Sequence, residues 1–432
     1  MEECEAAAAV RSKGAQPFLI DAPAMGYSDE QVMDKVAAIR PDLIILSSVF
    51  GSLEADLAWA ARLKLQFPNI IIGVRGAPAY VMSESILTGG FSVDFCVKGD
   101  YEPALEDIVS KGFRGAPAVD FLDDSGNLVQ RAPCFVDNLD ALPFPNIDVL
   151  DLPHYRVRGM RFQQITVHVQ RGCGFRCIYC LASIVAGDKV RQRSAISISE
   201  EISVRRAVGY RFFYLRAETF TVERQWALDV CRTLIKEHPG IKWCTSTRID
   251  KVDKELIQAM ANSGCYGISF GVETGSEMIG KRIGKLPDLE KAREIMRLCD
   301  RYGVLSMMYV MIGFPWDTRD SIRESQTFVR KTRPDLISVF FAHPYPGTPY
   351  YRMVLETGRQ VKATFAQSKP AFDTDNLQRS ELVILARKLI ARHYFSVPVL
   401  FSITKKMARL SAASLFSMIR SRLTRESLAG SN

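Results

Sequence analysis

The chain has 432 residues, which at roughly 150 residues per domain sets a prior of about three domains. A hydrophobic share of 47%, a charged share of 24% and an aromatic share of 10% exclude a disordered chain, a collagen-like repeat and a small disulfide scaffold. No apolar run approaches the ~18 residues that span a bilayer, and Tyr394–Ile403, the nearest, carries Pro398. Met1–Val10 lacks the basic start and apolar middle of a signal peptide, so a soluble cytoplasmic protein is expected.

Ten cysteines without an export signal point to reduced thiols. Seven are scattered singly, whereas Cys173, Cys177 and Cys180 fall within eight residues, a clustering that points to a metal. The net charge of +8 is uneven: residues 381–432 hold nine Lys/Arg against Glu381 and Glu426, leaving the rest near neutral. A nucleic-acid enzyme usually carries basic residues around its site as well, so no nucleic-acid partner is expected.

In chain order, residues 1–111 alternate short apolar runs with helical patterns. Pro17–Asp21 reads as a strand, Asp29–Arg40 as a helix capped by Ser28 or Asp29, and Leu43–Val49 as a buried strand. A helix over Leu53–Phe67, strands at Ile70–Gly73 and Asp94–Val97 and a helix over Glu102–Val109 complete a doubly wound parallel sheet. A connector at 112–160 contains a hairpin (Val119–Leu122 and Leu128–Arg131 around Asp124-Ser125-Gly126-Asn127) and Leu142-Pro143-Phe144-Pro145.

From 161 to 350 the alternation resumes at larger scale. Six strands are read at Ile165–Gln170, Phe212–Leu215, Trp243–Ser246, Ile268–Val272, Ser306–Ile312 and Ile337–Phe341, with helical patterns between them. Six parallel units predict a partial, open (β/α)6 barrel whose site lies at the carboxyl ends of the strands. Residues 351–432 read as a basic, mostly helical extension.

Cys173-Gly174-Phe175-Arg176-Cys177-Ile178-Tyr179-Cys180 has the spacing C-x3-C-x2-C and directly follows the first of these strands. Three thiolates on one loop can hold an iron–sulfur cluster with one iron open to a small molecule. Two other readings are buried apolar cysteines, which Arg176 and the glycines disfavour, and structural zinc with His168 as fourth ligand.

With Tyr179 just before the last cysteine, this motif resembles the radical S-adenosylmethionine (SAM) superfamily. The resemblance implies a [4Fe–4S] cluster on Cys173, Cys177 and Cys180, SAM on the fourth iron, reductive cleavage to a 5′-deoxyadenosyl radical, and an electron donor such as a flavodoxin or ferredoxin. It assigns SAM contacts to Tyr179, to Glu218 in Arg216-Ala217-Glu218-Thr219-Phe220-Thr221, and to Arg248 in Thr247-Arg248-Ile249-Asp250. It adds Glu273 in Gly271-Val272-Glu273-Thr274-Gly275-Ser276 and Gly313 in Met311-Ile312-Gly313-Phe314-Pro315. Ala217 stands where relatives of this type usually have an acid. His343-Pro344-Tyr345-Pro346-Gly347-Thr348-Pro349 matches a stretch common in the cobalamin-domain branch and would roof the site. No catalytic role is assigned to His343 or Tyr345.

Pro41–Ser48, Gly73-Val74-Arg75-Gly76 and Val97-Lys98-Gly99-Asp100-Tyr101-Glu102 resemble a cobalamin (B12)-binding domain. The whole is similar to the B12-binding-domain radical SAM group of C-methyltransferases and anaerobic Mg-protoporphyrin ester cyclases. This implies cobalamin contacts at Ser47, Gly73, Gly76, Gly99 and Glu102. That domain normally opens with a further strand and helix, for which sixteen residues before Pro17 leave little room. The implied activity is cobalamin-dependent methylation of a carbon on a small secondary metabolite, lipid or tetrapyrrole. The alternatives are a radical oxidative cyclase or rearrangement enzyme without methyl transfer, and a zinc-stabilised scaffold. The tail reads either as a helical extension packed on the barrel, which is preferred, or as an amphipathic face at an anionic membrane.

Overall fold

The computed structural model describes residues 2–150, 155, 163–359, 361, 367–408 and 410. In the N-terminal sheet, β1 (Leu43–Ser47), β2 (Ile71–Arg75) and β3 (Phe95–Val97) run parallel in that order, and β4 (Val119–Leu122) and β5 (Leu128–Val129) continue it antiparallel. Alternation along β1 sends Leu43 and Ile45 to the face with Phe95, Val97, Tyr101 and Ile108, and Ile44 and Leu46 to the face with Val36, Ala60, Leu63 and Ile72. Helices cover both faces, as doubly wound sheets require. On the second, the helix Asp29–Ile39 starts from a reciprocal Ser28–Gln31 capping box.

Three details differ from the sequence expectation. The hairpin assigned to the connector is the outer part of this sheet, because Phe95, Cys96 and Val97 pair with Phe121, Asp120 and Val119. A helix does precede Pro17: Glu2–Ser12 packs beside the helix Tyr101–Lys111. The predicted strand Pro17–Asp21 is extended but pairs with no strand. Its propensity has no ladder to join, since β1 is the sheet's edge. Between β1 and this segment lies a cavity of about 1810 Å³, lined by residues including Leu19, Ile20, Leu43, Ile45 and Ser47.

The second sheet is the expected open barrel. It is wholly parallel, with β6 (Gln164–His168), β9 (Phe212–Arg216), β10 (Lys242–Arg248), β11 (Cys265–Glu273), β12 (Leu305–Ile312) and β13 (Leu336–Phe341) in the order of the chain. A two-stranded ribbon, β7 (Gln170–Arg171) with β8 (Arg191–Gln192), stands at the end of β6. The core between strands and outer helices is built on Val167, Phe213, Trp243, Phe270 and Met308. The helix Arg379–Tyr394 seals it with Leu382, Ala386 and Leu389.

The two domains meet on ion pairs at the carboxyl ends of their strands. Arg171 reaches Glu102 at 3.0 Å, Asp100 at 3.2 Å and Glu5 at 3.3 Å, all from the N-terminal domain. Glu5 also accepts from His168 at 2.7 Å, and Glu2 bridges Arg75 of β2 to Arg216 of β9. Removing one partner from such a set strands the other charges in low dielectric. Arg171→Ala is therefore expected to cost about 3–5 kcal/mol. Chemical denaturation followed by tryptophan fluorescence measures this, and a loss under about 1 kcal/mol would mean the node is solvated.

Candidate active site

The cysteine loop is built by its neck. Arg171 pairs with Arg191 across the ribbon, so the loop leaves and returns at one point. Gly172 has φ +86°, and a Cβ there would stand 2.1 Å from the Lys189 carbonyl oxygen, so a glycine is required. Inside the loop, Cys173 N–H donates to Gly187 at 3.0 Å and Cys180 N–H to the Cys177 carbonyl at 3.1 Å. The Cys180 sulfur accepts from Ala182 N–H at 3.4 Å. All three cysteines are half-buried and free.

The strand ends of the barrel bring the other predicted residues to this loop. Arg248, at the end of β10, stacks on Phe175 with its guanidinium 4.1 Å from the ring centroid and lies 3.6 Å from the Cys177 sulfur. It also holds Asp250 through two bonds of 2.9 Å, so the salt bridge and the approach to the loop coexist. Glu218 follows β9, with a buried Oε2 that has no hydrogen-bond partner. Burial pushes its pKa above the ordinary carboxylate range, against the opposing pull of Arg216, His168 and Arg171. An orphaned carboxylate beside a thiol loop fits a cationic amine.

Glu273 ends β11 at a break in register with β12, between Gly271 and Glu273. Its φ of +71° is left-handed, uncommon for a residue with a Cβ, and the bulge turns its carboxylate onto Lys285 at 3.0 Å. Gly271 leaves room for that pair: a Cβ there would fall 2.7 Å from Glu273 Oε1 and 2.8 Å from Lys285 Nζ. Tyr179 lies near Glu273 and Cys177, and burial drives its phenol pKa up, helped by the Glu273 charge. Gly313 (φ +89°) opens the turn after β12, where its N–H and that of Phe314 donate to Asp317 at 2.8 and 3.0 Å. Phe314 meets Tyr179 edge to face, with centroids 6.1 Å apart.

Lys285 and Asp317 were not anticipated from the sequence. Asp317 had a signal, since Pro315-Trp316-Asp317-Thr318 leads into a helix capped by Thr318. Lys285 had none, because its role comes from the bulge. His343 is buried and bonds the Lys369 carbonyl at 2.8 Å, and Tyr345 packs on Phe50 of the N-terminal domain with centroids 4.8 Å apart.

The three thiols fit an iron–sulfur cluster by donor chemistry. Burial raises the pKa of Cys173, and that of Cys180 to about 11, so both favour the neutral thiol until a metal deprotonates them. Among the described residues, no three of His, Cys, Asp and Glu converge as they would around a single ion, and His168 is held by Glu5 and Arg216. That arrangement speaks against the zinc site.

The residues proposed for cobalamin are not gathered in this way. Ser47 lines the large cavity and donates to Glu3 at 3.0 Å. A Cβ at Gly73 would strike the Phe95 ring at 2.3 Å, and at Gly76 and Gly99 it would strike Ser48 and Cys134 carbonyl oxygens at 2.1 and 2.2 Å. These three glycines serve packing within the chain. Glu102 is buried against Arg171. As arranged, four of these five are engaged by the chain's own packing or ion pairs.

The radical SAM superfamily model matches residues 167–329. The matched stretch runs from the first barrel strand through the cysteine loop to the helix after β12. The chain is 24% identical over 336 residues to an uncharacterized methyltransferase of Pyrococcus horikoshii, covering 76% of this chain and 73% of that one. It is 22% identical over 384 residues to an anaerobic magnesium-protoporphyrin IX monomethyl ester cyclase of Rubrivivax gelatinosus, covering 85% and 68%. Among solved structures, the radical SAM methyltransferase TsrM from Kitasatospora setae, with cobalamin and a [4Fe–4S] cluster bound, superposes with a TM-score of 0.68 at 16% identity, covering 82% of this chain and 72% of that one. The cobalamin-dependent radical enzyme OxsB gives 0.68 at 18% identity, covering 83% and 58%. These likenesses establish the architecture of a B12-binding radical SAM enzyme: a doubly wound, cobalamin-binding-like domain ahead of the partial barrel.

Asp317 supplies a test of the radical SAM barrel's strand-end turn. Burial raises its pKa from 3.8 to about 6, only partly offset by its bonds from Ser321, Gly313 and Phe314. A raised folded-state pKa means the native protein binds the extra proton, so stability falls as pH rises from about 4 to about 6. Relative to Asp317→Asn, the wild type is expected to lose about 2 kcal/mol across that window. Denaturation midpoints of both proteins at the two pH values measure it, and a constant difference would rule it out.

Proposed function

We propose that this protein holds a [4Fe–4S] cluster on Cys173, Cys177 and Cys180 and reductively cleaves SAM. The observation that carries this reading is the meeting of the thiol loop with Glu218, whose buried Oε2 has no hydrogen-bond partner, at the strand ends. When bound, the cluster supplies the electron that splits SAM into methionine and a 5′-deoxyadenosyl radical, delivered from a flavodoxin- or ferredoxin-like donor. The chain's residues do the binding. Glu218 accepts the SAM ammonium, Arg248 beside Cys177 attracts the carboxylate, and Glu273 accepts the ribose hydroxyls while Lys285 fixes its orientation. Tyr179 and Phe314 form an apolar wall there, and Gly313 brings backbone close to the adenine.

For the reaction itself, C-methylation of a small molecule is supported by the methyltransferase relatives and by the cobalamin-binding-like domain. A specific observation favours a second reading, radical cyclisation or rearrangement without methyl transfer. Glu2 and Glu3 occupy Arg75 at the ends of the N-terminal strands, Glu2 ties it to Arg216 of the barrel, and four of the five proposed corrin contacts serve internal packing.

After anaerobic reconstitution, Cys177→Ala is expected to abolish the brown absorbance and SAM cleavage together. Glu218→Gln is expected to keep the absorbance and weaken SAM retention about tenfold, the worth of one charge-assisted bond. Cleavage retained in Cys177→Ala would overturn the cluster assignment. S-adenosylhomocysteine among the products identifies methyl transfer, and 5′-deoxyadenosine alone identifies the second reading.

A further inference from the structure

The last described helical segment leaves large apolar side chains exposed while it buries a lysine against the barrel. In the helical segment 397–408, Val399, Ser402 and Lys406 face the barrel. Lys406 is buried on Asp335 at 2.8 Å, and Ser402 donates to the same carboxylate at 2.5 Å. Met407 and Leu410 close this end of the barrel against Phe212, Tyr266 and Leu305. One helical turn away, the outward stripe is Val397, Leu400, Phe401, Thr404 and Ala408. Val397 is 76% exposed and Phe401 69%. The preceding helix Arg379–Tyr394 also leaves Ile384 and Lys388 exposed, and Phe395, between the two helices, is 85% exposed.

Cations rim this face without carboxylate partners. Lys405 follows Phe401 by one turn on the same helix, Arg387 and Lys388 are exposed on the preceding one, and Arg297, Arg330, Lys331 and Arg333 line the adjoining groove together with Glu290, Asp300 and Asp335. None of these seven makes a salt bridge among the described residues. Buried protein interfaces are depleted in lysine, whereas exposed phenylalanines within a ring of unpaired Lys and Arg are the pattern of interfacial helices.

We propose that this face docks on an anionic lipid surface, with Phe395, Val397, Leu400 and Phe401 entering the headgroup boundary and the surrounding cations meeting lipid phosphates and carboxylates. The occupant is chosen by charge complementarity, since an apolar patch alone would accept another protein equally well.

The test is co-sedimentation of the full, anaerobically reconstituted chain with vesicles of phosphatidylcholine containing about 30% phosphatidylserine, against phosphatidylcholine alone. Binding is expected to the anionic vesicles only, and to be lost at roughly 0.5 M salt, where screening leaves a few ångströms of range. Phe395→Glu with Phe401→Glu is expected to lower binding at least about tenfold while leaving the melting temperature and cluster absorbance unchanged, because both side chains are exposed. Lys388→Gln with Lys405→Gln separates the electrostatic part, with an expected loss of roughly tenfold. Equal binding to both vesicle types, or no binding, would overturn the proposal. So would dimerisation without lipid that the phenylalanine substitutions abolish, which would assign the face to a second copy of the chain.

Discussion

The geometry of the thiol loop rests on one carboxylate that belongs to the other domain. The ribbon at its neck places Arg171 directly opposite Arg191, a pairing that repels. Asp100, just beyond β3 of the N-terminal sheet, reaches Arg171 at 3.2 Å and also pairs with Arg191, turning a like-charge clash into a bridged triad. The same carboxylate accepts Val136 N–H at 2.8 Å, and Arg191 donates to the Val136 and Ala186 carbonyls. Loop, connector and N-terminal sheet are therefore closed by one interaction set. The N-terminal domain thus has a structural part in holding the thiol loop.

This interdependence explains which parts were legible in the sequence. The six barrel strands were readable because Val167, Phe213, Trp243, Phe270 and Met308 lie in short apolar runs that must be buried. The cysteine loop was readable because three thiols at close spacing have few other uses. Lys285, Asp100 and Arg171 were not, because each acts through a partner distant in sequence, and spacing carries no trace of that. Pro17–Asp21 failed for a related reason. Its apolar residues favour a strand, but a strand needs a neighbour, and the position beside β1 is a cavity. At the glycines 73, 76 and 99 the sequence carried no trace of the close neighbours that require them, Phe95 and the Ser48 and Cys134 backbone.

Electrostatics divide the strand-end surface into engaged and available groups. Glu5, held by His168, Arg171 and Tyr101, has its pKa drawn down to about 2, so its charge is retained and satisfied at neutral pH. Glu218, at the end of β9, is shifted the other way by burial and has an oxygen with no partner. A charge balanced within the chain contributes to assembly, whereas an unbalanced one costs stability that only a ligand restores. This contrast, and not proximity alone, makes Glu218 the better candidate for binding an ammonium group.

The same sheet sets the distance between the two ends of the molecule. Gly313 and His343 lie beyond the carboxyl ends of β12 and β13, while Ser306 and Asp335, the anchors of the C-terminal helix, lie at their amino ends. Eight residues of β12 at about 3.3 Å each separate these levels by roughly 26 Å. The helical segment 397–408 therefore lies at the floor of the barrel, whereas the preceding helix begins beside the strand-end turn, where Leu382 meets Gly313. A lipid surface against that floor would hold the enzyme with its site facing away, so an apolar substrate would have to leave the bilayer to reach Glu218 and the thiol loop. Docking there would position the molecule, and the selection of substrate would fall to the residues at the opposite end of the strands.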